Sequence, residues 1–447
     1  MRRRAKTLAV VAVVGLLVVG SFGGVTRSTV SSATGTPSPA MPPPSDSYVI
    51  EQGEFCQPIE PLSTGETVAS FYDYRNHETH PEDVDRLYSS YGTSHLQEDD
   101  TSVLFLHEGT DGTSLVMVHD QVDGDTNGGM ATFDIVGLPH EAEWVVEDDN
   151  YTGETNMAEF DSGDGWASAS WIWSDERTDG GAIRGGFNDA FAVTVHPAFN
   201  EDAEFHNDDD LHDPDFHGGG EIEDWEVLSG DADNPDRTEL PSLDDPVTIR
   251  SGTCDGPTVT HDRIEDGIAV TVDGADPDDH AVLQPPTGSS EGVAFDGIVL
   301  TGLEGEASIT FENRRPDGLP ASPDGVDALS QLAVTGAPSL EDGSATVSFS
   351  VDGDRLDEHG LEPDEIALYE RDRNGDGWSE AETTVRDTAD GTYRFEATVS
   401  SVDGLAVAPQ QPDTDERTYP APGFGVGGVV GAALLLVGLW AVRTRRE

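Results

Sequence analysis

Residues 103–118 read VLFLHEGTDGTSLVMV, and this stretch sets the expected class of fold. Residues 103–106 and 115–118 are short, continuously apolar runs, and the turn-forming segment Gly109-Thr110-Asp111-Gly112 separates them. Apolar runs of this length on either side of a Gly- and Asp-rich turn are typical of a hairpin of two buried strands. We therefore expect a mainly β structure.

Similar runs continue on both sides of this hairpin. In residues 344–351 apolar and polar residues alternate, which is typical of a strand with one buried face. Short helices are expected at residues 66–74 and 354–359, the second ended by Gly360. Many short strands with Gly- and Asp-rich turns predict two β-sandwich-like domains in tandem. Further strands are predicted at residues 131–136, 144–146, 166–173, 190–195, 267–272, 281–283, 297–300, 307–311 and 366–369.

The charge balance is extremely acidic. The 447 residues include 88 Asp and Glu against 23 Lys and Arg, which gives a formal net charge of −65, and the only lysine is Lys6. Because core-forming residues still occur in strand-like runs, we expect a folded chain rather than a disordered one. Molar salt shortens the Debye length to about 3 Å and removes most of the self-repulsion of such a surface. The composition is similar to that of haloarchaeal proteins, and it argues against binding to nucleic acid or to an anionic membrane surface.

The first residues are typical of an export signal. Arg2, Arg3, Arg4 and Lys6 precede an apolar segment at residues 8–20, which is too short for a comfortable membrane span. We therefore expect a secretory signal peptide and an extracellular location for the domains that follow.

The last residues contain three features in a fixed order. Pro422-Gly423-Phe424 is followed by an apolar run up to residue 442 and then by a basic tip. At about 1.5 Å per residue the run spans roughly 28 Å, close to the hydrocarbon thickness of a bilayer. This tail resembles the PGF-CTERM sorting signal of archaeal surface proteins. The resemblance implies that an archaeosortase removes the tail, that a lipid anchor replaces it, and that Pro422, Gly423 and Phe424 carry the processing. A plain single-span membrane tail is the alternative.

A second resemblance covers residues 258–408. Residues 345–380 read ATVSFSVDGDRLDEHGLEPDEIALYERDRNGDGWSE and resemble the PGF-pre-PGF domain, a β-rich module that precedes archaeal PGF tails. That module usually carries its own Pro-Gly-Phe near the last strand, whereas residues 401–405 here read SVDGL. The resemblance therefore implies a fold and a position in the chain, and no role for an internal motif.

These features predict six segments along the chain. They are a signal peptide at residues 1–30, a Ser/Thr/Pro-rich linker at 31–47, a β-rich extracellular domain at 48–255, a β-sandwich at 256–408, a second linker at 409–421 and the sorting signal with its transmembrane segment at 422–447. Cys56 and Cys254 are the only cysteines, and in an exported chain an isolated pair predicts one disulfide. Two buried free thiols are the alternative.

One loop has the ligand spacing of a calcium site. Asp123, Asp125, Asn127 and Asp134 occupy positions 1, 3, 5 and 12, and Gly128 provides the turn at position 6. The flanking residues are strand-like, so the site would not be an EF-hand. Calcium is the one cofactor that the sequence suggests, and no cofactor is required by any other motif. Hairpin turns without metal are the alternative.

A second loop begins in the same way. Asp372, Asn374 and Asp376 occupy positions 1, 3 and 5, but position 12 is Thr383, which is a poor calcium ligand. We therefore regard this loop as the weaker of the two candidates.

Two further patterns have no catalytic interpretation. His196, His206, His212 and His217 lie among many aspartates without the tight spacing of a transition-metal site, which favours a solvated acidic loop. Residues 288–292 read GSSEG, but a nucleophile elbow needs a strand before the serine and a helix after it, and neither is predicted. Paired carboxylates of the glycosidase type cannot be recognised in so acidic a chain.

Two tryptophans are the candidate binding side chains. On a strand, Trp171 and Trp173 point to one side and Trp166 to the other. Exposed on a surface, Trp171 and Trp173 could stack on sugar rings, and buried they would belong to the core. Asn150-Tyr151-Thr152 is the N-glycosylation sequon, which predicts a glycosylated surface asparagine.

The sequence therefore favours a non-enzymatic, exported and anchored cell-surface protein of a haloarchaeon. Its expected partners are an archaeosortase-type processing enzyme, a membrane or lipid anchor, and S-layer components or surface glycans. A carbohydrate-binding or adhesion module and a secreted envelope hydrolase are the alternatives.

Overall fold

The computed structural model describes residues 47–74, 89–125, 127–148, 157–207, 220–288, 290–312, 322–323, 325–338, 340, 343–372, 377–389 and 391–411. All of them belong to one compact unit. The predicted signal peptide, most of both linkers, Asn150 and the sorting residues Pro422, Gly423 and Phe424 lie outside the described residues. No helix in the described ranges is both long and apolar enough to cross a membrane.

Strands dominate the described chain, as predicted. We call residues 47–251 the N-terminal half, and its strands form two sheets. Sheet A has the order β2-β1-β14-β11-β6-β9-β8, and sheet B has the order β13-β12-β4-β5-β10-β7 with β3 beside β4. The strands are β1 (Tyr48–Gln52), β2 (Phe55–Ile59), β3 (Leu62–Ser63), β4 (Thr101–Gly109), β5 (Gly112–His119), β6 (Gly129–Val136), β7 (Glu143–Glu147), β8 (Met157–Gly163), β9 (Trp166–Trp173), β10 (Asp179–Arg184), β11 (Ala192–Phe199), β12 (Asp224–Ser229), β13 (Asp236–Glu239) and β14 (Val247–Ser251).

Residues 258–411 form the C-terminal half, which also contains two sheets. Sheet C has the order β15-β16-β19-β20-β26-β22-β23, and sheet D has the order β17-β18-β21-β25-β24. The strands are β15 (Thr258–Ile264), β16 (Gly267–Ala275), β17 (His280–Leu283), β18 (Val293–Thr301), β19 (Gly305–Glu312), β20 (Ser330–Thr335), β21 (Ser344–Asp352), β22 (Ile366–Arg371), β23 (Trp378–Glu380), β24 (Thr383–Ala389), β25 (Thr392–Val399) and β26 (Gly404–Pro409).

The helices of the described chain are short. They are α1 (Val68–Tyr72), α2 (Gly353–His359) and 3-10 turns at Asn200–Asp202, Glu204–Asn207 and Pro363–Glu365. The first helix is shorter than the predicted 66–74, because Thr67 caps its first turn and Asp73 adopts a left-handed conformation with φ 54° at its end. The second ends at Gly360, as predicted.

The hairpin predicted at residues 103–118 is confirmed as β4 and β5, and its two faces explain its continuous apolar runs. Leu104 and Leu106 point into the core between sheets A and B. Val103 and Phe105 point to the opposite face, where α1 covers the sheet with Val68 and Tyr72. A strand that is buried on both faces needs apolar side chains at every position.

The core of the C-terminal half lies between sheets C and D. The predicted alternation of β21 is confirmed, because Val347, Phe349 and Val351 belong to this core and face Phe395 of the neighbouring strand. The side chains at even-numbered positions of β21 point to the other face of sheet D. That outer face is the one that bears on function.

The strand predicted at residues 297–300 is part of a longer strand. Residues 293–295 and 297–300 belong together in β18, and the pairing of β18 with β21 shifts between Phe295 and Gly297. Asp296 is therefore the extra residue of a β-bulge and not a turn residue between strands.

The disulfide between Cys56 and Cys254 is confirmed, with Cα atoms 5.8 Å apart across a sequence separation of 198. It joins β2 to the segment that follows β14. Because β14 pairs with β1, the bond closes the N-terminal half where its first and last strands meet.

Candidate functional site: a cleft between the two halves

The two halves are joined by a polar junction between β11 and β15. The backbone N–H of His261 donates to Thr194 Oγ1 at 3.0 Å. The Thr248 hydroxyl donates to the Val259 carbonyl at 3.2 Å, and His196 Nε2–H donates to the His261 carbonyl at 2.8 Å. These hydrogen bonds connect β15 of sheet C to β11 and β14 of sheet A, and so they hold β15 against the N-terminal half.

The ring of His261 lies inside this junction and is neutral. Burial lowers its pKa to about 3. The backbone N–H of Gln284 donates to its Nε2 at 3.2 Å, so the ring proton sits on Nδ1. Gly137, at φ 82°, approaches so closely that a Cβ there would lie 2.7 Å from the ring. Position 137 therefore requires glycine, because any side chain there would clash with the His261 ring.

The edge of the junction includes Trp166 and Asp134, the second of which the sequence suggested as a calcium ligand. The Arg263 guanidinium carbon lies 3.2 Å from the centre of the Trp166 ring. The same guanidinium has Nη1 3.6 Å from Asp134 Oδ1. Asp134 and Trp166 therefore bind the C-terminal half and not a ligand.

A cavity of about 270 Å³ opens beside the junction. The outer face of sheet D forms one wall. Two loops of the N-terminal half, at residues 137–142 and 185–191, form the other. We call this cavity the cleft. Its lining residues are Pro139, His140, Glu141, Gly186, Asp189, Ala190, Val282, Gln284, Asp296, Gly297, Ile298, Val299, Ser348, Arg386, Asp387, Arg394, Phe395 and Glu396.

Two β-bulges place charged residues in the cleft. Asp296 is the extra residue of β18, and Arg386 is the extra residue of β24, where the pairing with β25 shifts between Val385 and Asp387. A bulge turns a side chain away from the regular alternation of its strand, and bulges often lie beside functional sites. Two bulges of sheet D border the same cavity, which indicates a functional site.

Asp296 has an unusual environment. The Ser350 hydroxyl donates to its Oδ1 at 3.0 Å. Burial raises the pKa of Asp296 to about 7, although the hydrogen bond from Ser350 and the charge of Arg394 oppose the rise. The nearby carboxylates Glu141 and Asp189 raise it further. The carboxyl group therefore changes charge near neutral pH, which is common in functional sites.

The other charges of the cleft are mostly paired. Arg394 contacts Glu141 in a short ion pair and has Nη1 3.6 Å from Asp189 Oδ2, so it connects both loops to sheet D. Arg386 forms an ion pair with Glu396. Within the described residues, Asp296 makes no ion pair of this kind, and its Oδ2 has no protein hydrogen bond.

A second cavity, of about 420 Å³, adjoins the cleft and shares His140 with it. Its walls include Gly288, Ser290, Glu291 and Gly292, from the segment with the GSSEG pattern. That segment leads into β18 at Val293 and is not followed by a helix, so the prediction that it is no nucleophile elbow is confirmed.

The candidate ligands of the predicted calcium loop lie on two different parts of the fold. Asp123 and Asp125 lie in the loop after β5, where their backbone N–H groups donate to Glu176 O and Asp99 Oδ1 at 3.1 Å. Asp134 lies within β6, five residues beyond Gly129, and this corresponds to about 16 Å along the strand. Asn127 is exposed beside the loop. Among the described residues, no three His, Cys, Asp or Glu side chains are grouped to hold a metal ion.

The second candidate loop is described only in part. Residues 373–376 lie outside the described residues, so Asn374 and Asp376 are not placed. Asp372 Oδ1 accepts from the Ser379 hydroxyl at 2.6 Å, and Thr383 Oγ1 accepts from the Leu368 backbone at 2.9 Å. These contacts stabilise a hairpin.

The stacking role of Trp171 and Trp173 is wrong. Both are 0% exposed and belong to the core between sheets A and B. Trp171 Nε1 donates to the Gly180 carbonyl at 2.9 Å, and Trp173 Nε1 donates to Asp120 Oδ2 at 3.0 Å. Neither ring face can reach a sugar. Of the four histidines, His196 serves the junction, His206 lies in a 3-10 turn, and His212 and His217 lie outside the described residues.

Sequence reasoning missed the cleft because its residues come from seven separate segments. The available signal was Asp296-Gly297 in the middle of an apolar run, where a turn and a bulge look alike. Comparison of the chain with protein-family models, with curated proteins and with solved structures found no match.

Proposed function

We propose that this chain is a non-enzymatic, exported surface protein of a haloarchaeon, sorted and anchored at its C-terminus, with a structural or interaction role at the S-layer. The disulfide between Cys56 and Cys254 is the observation that carries this proposal. Stable disulfides belong mainly to proteins of oxidising compartments outside the cytosol. The bond therefore agrees with the secretory signal expected at residues 1–30.

The position of the last described strand agrees with an anchored protein. The last strand, β26, lies between β20 and β22 and pairs with both. The Tyr369 hydroxyl donates to the Pro409 carbonyl at 2.8 Å, where the chain leaves this strand. Tension from a C-terminal anchor would pull along β26, and the hydrogen bonds of β26 with both β20 and β22 would resist it. An interior strand is a suitable attachment for a tether.

The contacts in the cleft favour a binding or structural role over hydrolysis by paired carboxylates. Such hydrolysis needs two carboxyl groups that are both free to reach the scissile bond. Glu141 and Asp189 contact Arg394, and Glu396 contacts Arg386. Three of the five carboxyl groups that line the cleft are thus held in ion pairs, and of the other two, Asp296 and Asp387, the second is exposed at the edge. The burial of Trp171 and Trp173 removes the residues on which the carbohydrate-binding alternative rested.

The processing step can be tested on protein extracted from native membranes. Mass analysis of the intact protein and of its C-terminal peptide should find an end near Phe424 with added lipid mass. Substitution of Pro422, Gly423 and Phe424 by alanine should leave the chain at full length and membrane-spanning. Alanine substitution of residues 418–420, just before the motif, is the matched control and should be processed normally. A wild-type chain that extends to Glu447 would overturn the sorting proposal.

A further inference from the structure

The cleft has the size and the walls of a small-molecule site. Pockets for drug-sized ligands have volumes of about 300–1,000 Å³, so a cavity of about 270 Å³, just below that range, suits a ligand smaller than these. Pro139, Val282 and Val299 give it apolar surface on both walls. Pro139 comes from the N-terminal half, while Val282 and Val299 come from the outer face of sheet D.

The charges of the cleft select against anions. Its lining contains the acidic residues Glu141, Asp189, Asp296, Asp387 and Glu396, against Arg386 and Arg394. Both guanidinium groups already contact carboxylates. An anionic ligand would have to displace these contacts and would meet the remaining negative charge.

Among the described residues that line the cleft, Asp296 and Asp387 are the carboxyl groups without an ion pair, and Asp296 is the less exposed of the two. Its Oδ1 accepts from Ser350, while its Oδ2, among the described residues, accepts no protein hydrogen bond. The bulge at this position places the carboxyl group in the cleft beside the apolar walls. A carboxylate beside apolar surface is complementary to a cationic group that carries a short apolar body.

We propose that the cleft is a binding site for a small organic cation, whose ammonium or amidinium group pairs with Asp296 and whose apolar part contacts Pro139, Val282 and Val299. The site requires both halves of the molecule, because the two walls belong to different halves. The proposal goes beyond an interaction role and does not depend on the processing of the C-terminal tail.

Binding of a cation has a measurable consequence for protons. Burial holds the pKa of Asp296 at about 7, so at pH 7 a large fraction of the protein has this group protonated. A bound cation favours the carboxylate and lowers that pKa, so binding releases part of a proton. The other titratable or charged groups around Asp296 are His140 and Glu141 of one loop, Asp189 of the other, Arg394 and Glu396 of β25, and Arg386 and Asp387 of β24.

The proposal can be tested by calorimetric titration of the whole folded protein, in molar salt at pH 7, with three ligands of one shape. Benzylamine is cationic, benzyl alcohol is neutral and benzoate is anionic. Benzylamine should bind and the other two should not. Repetition in two buffers with different ionisation enthalpies should show proton release with benzylamine. Equal binding of benzyl alcohol or benzoate, or no binding of benzylamine at ten-millimolar concentration, would overturn the proposal.

Two variants with the same change of charge locate the site. Asp296→Asn keeps the shape of the side chain and should weaken benzylamine binding at least tenfold. Asp273→Asn removes one charge from an exposed position of β16 that does not line the cleft, and it should change the affinity less than threefold. Proton release by the wild-type protein is a readout that does not depend on the folding of either variant. Unchanged affinity in folded Asp296→Asn contradicts the assignment.

Discussion

Glu51 and Arg250 form a buried bidentate ion pair between β1 and β14. Arg250 Nη2 donates to Glu51 Oε1 at 2.6 Å, and Nε donates to Oε2 at 3.0 Å. The same Nη2 donates to the Thr253 carbonyl at 2.9 Å, immediately before Cys254. The pair therefore lies beside the disulfide, and the two together close the N-terminal half.

Removal of one partner of this pair should be more harmful than removal of both. Arg250→Met leaves the Glu51 carboxylate buried without a cation, which should cost about 3–5 kcal/mol of unfolding free energy. The double variant with Glu51→Gln and Arg250→Met should recover much of the loss, because no unpaired charge remains buried. Denaturant titrations in molar salt measure both values. A double variant no more stable than Arg250→Met would contradict this account.

Loss of the disulfide should also destabilise the N-terminal half strongly. In the chain-entropy model, a cross-link between residues separated by 198 positions contributes about 5 kcal/mol, because it restricts the unfolded chain. Cys56→Ser combined with Cys254→Ser should lower the unfolding free energy by an amount of this order. Reduction of the wild-type protein should have the same effect, and it should have none on the variant. Equal stability of the oxidised and reduced wild-type protein would refute the prediction.

The local parts of the fold could be predicted from the sequence. The β4–β5 hairpin has apolar runs and a clear turn, and β21 has a strict alternation, so neighbouring residues suffice to identify them. β18 could not be predicted as one strand, because Asp296-Gly297 has the composition of a turn. Only the partner strand β21 decides that the chain continues straight through this dipeptide with a bulge.

The cleft could not be predicted, because its parts are distant in the sequence. Glu141 and Arg394 form an ion pair across 253 positions. Because the chain contains so many Asp and Glu residues, the sequence does not distinguish the carboxylates of the cleft from those that are only solvated. Asp134, Trp166 and His196 meet β15 in the junction, which nothing in their neighbouring sequence indicates.

Removal of calcium should leave the stability of the protein unchanged. Asp134 lies within β6, about 16 Å along the strand from Gly129, so we expect the loop of Asp123 and Asp125 to lack the ligand at position 12. Melting curves in molar salt should coincide with and without an excess of chelator, and Asp123→Asn should respond to calcium no differently from the wild-type protein. A melting temperature that falls on chelation and recovers with calcium would show that the loop binds the ion with other ligands.

The charge of Asp296 should make the stability of the protein fall as pH rises. Its pKa is about 7 in the folded protein and about 3.8 as the ordinary value for the unfolded chain. Between these values the folded state holds a proton that the unfolded state has released, so rising pH favours unfolding. Below pH 4 both states are protonated and the folded state carries no penalty, whereas above pH 7 the penalty is complete and amounts to about 4 kcal/mol at most.

Asp296→Asn removes this titration and isolates its contribution. The difference in unfolding free energy between the wild-type protein and Asp296→Asn should change in favour of the variant from pH 4 to pH 7 and stay constant above about pH 8. Because every other carboxylate is common to both proteins, the comparison removes the acid unfolding of the rest of the chain. A difference that is flat from pH 4 to pH 8 would mean that Asp296 is ionised throughout and is not held protonated by burial.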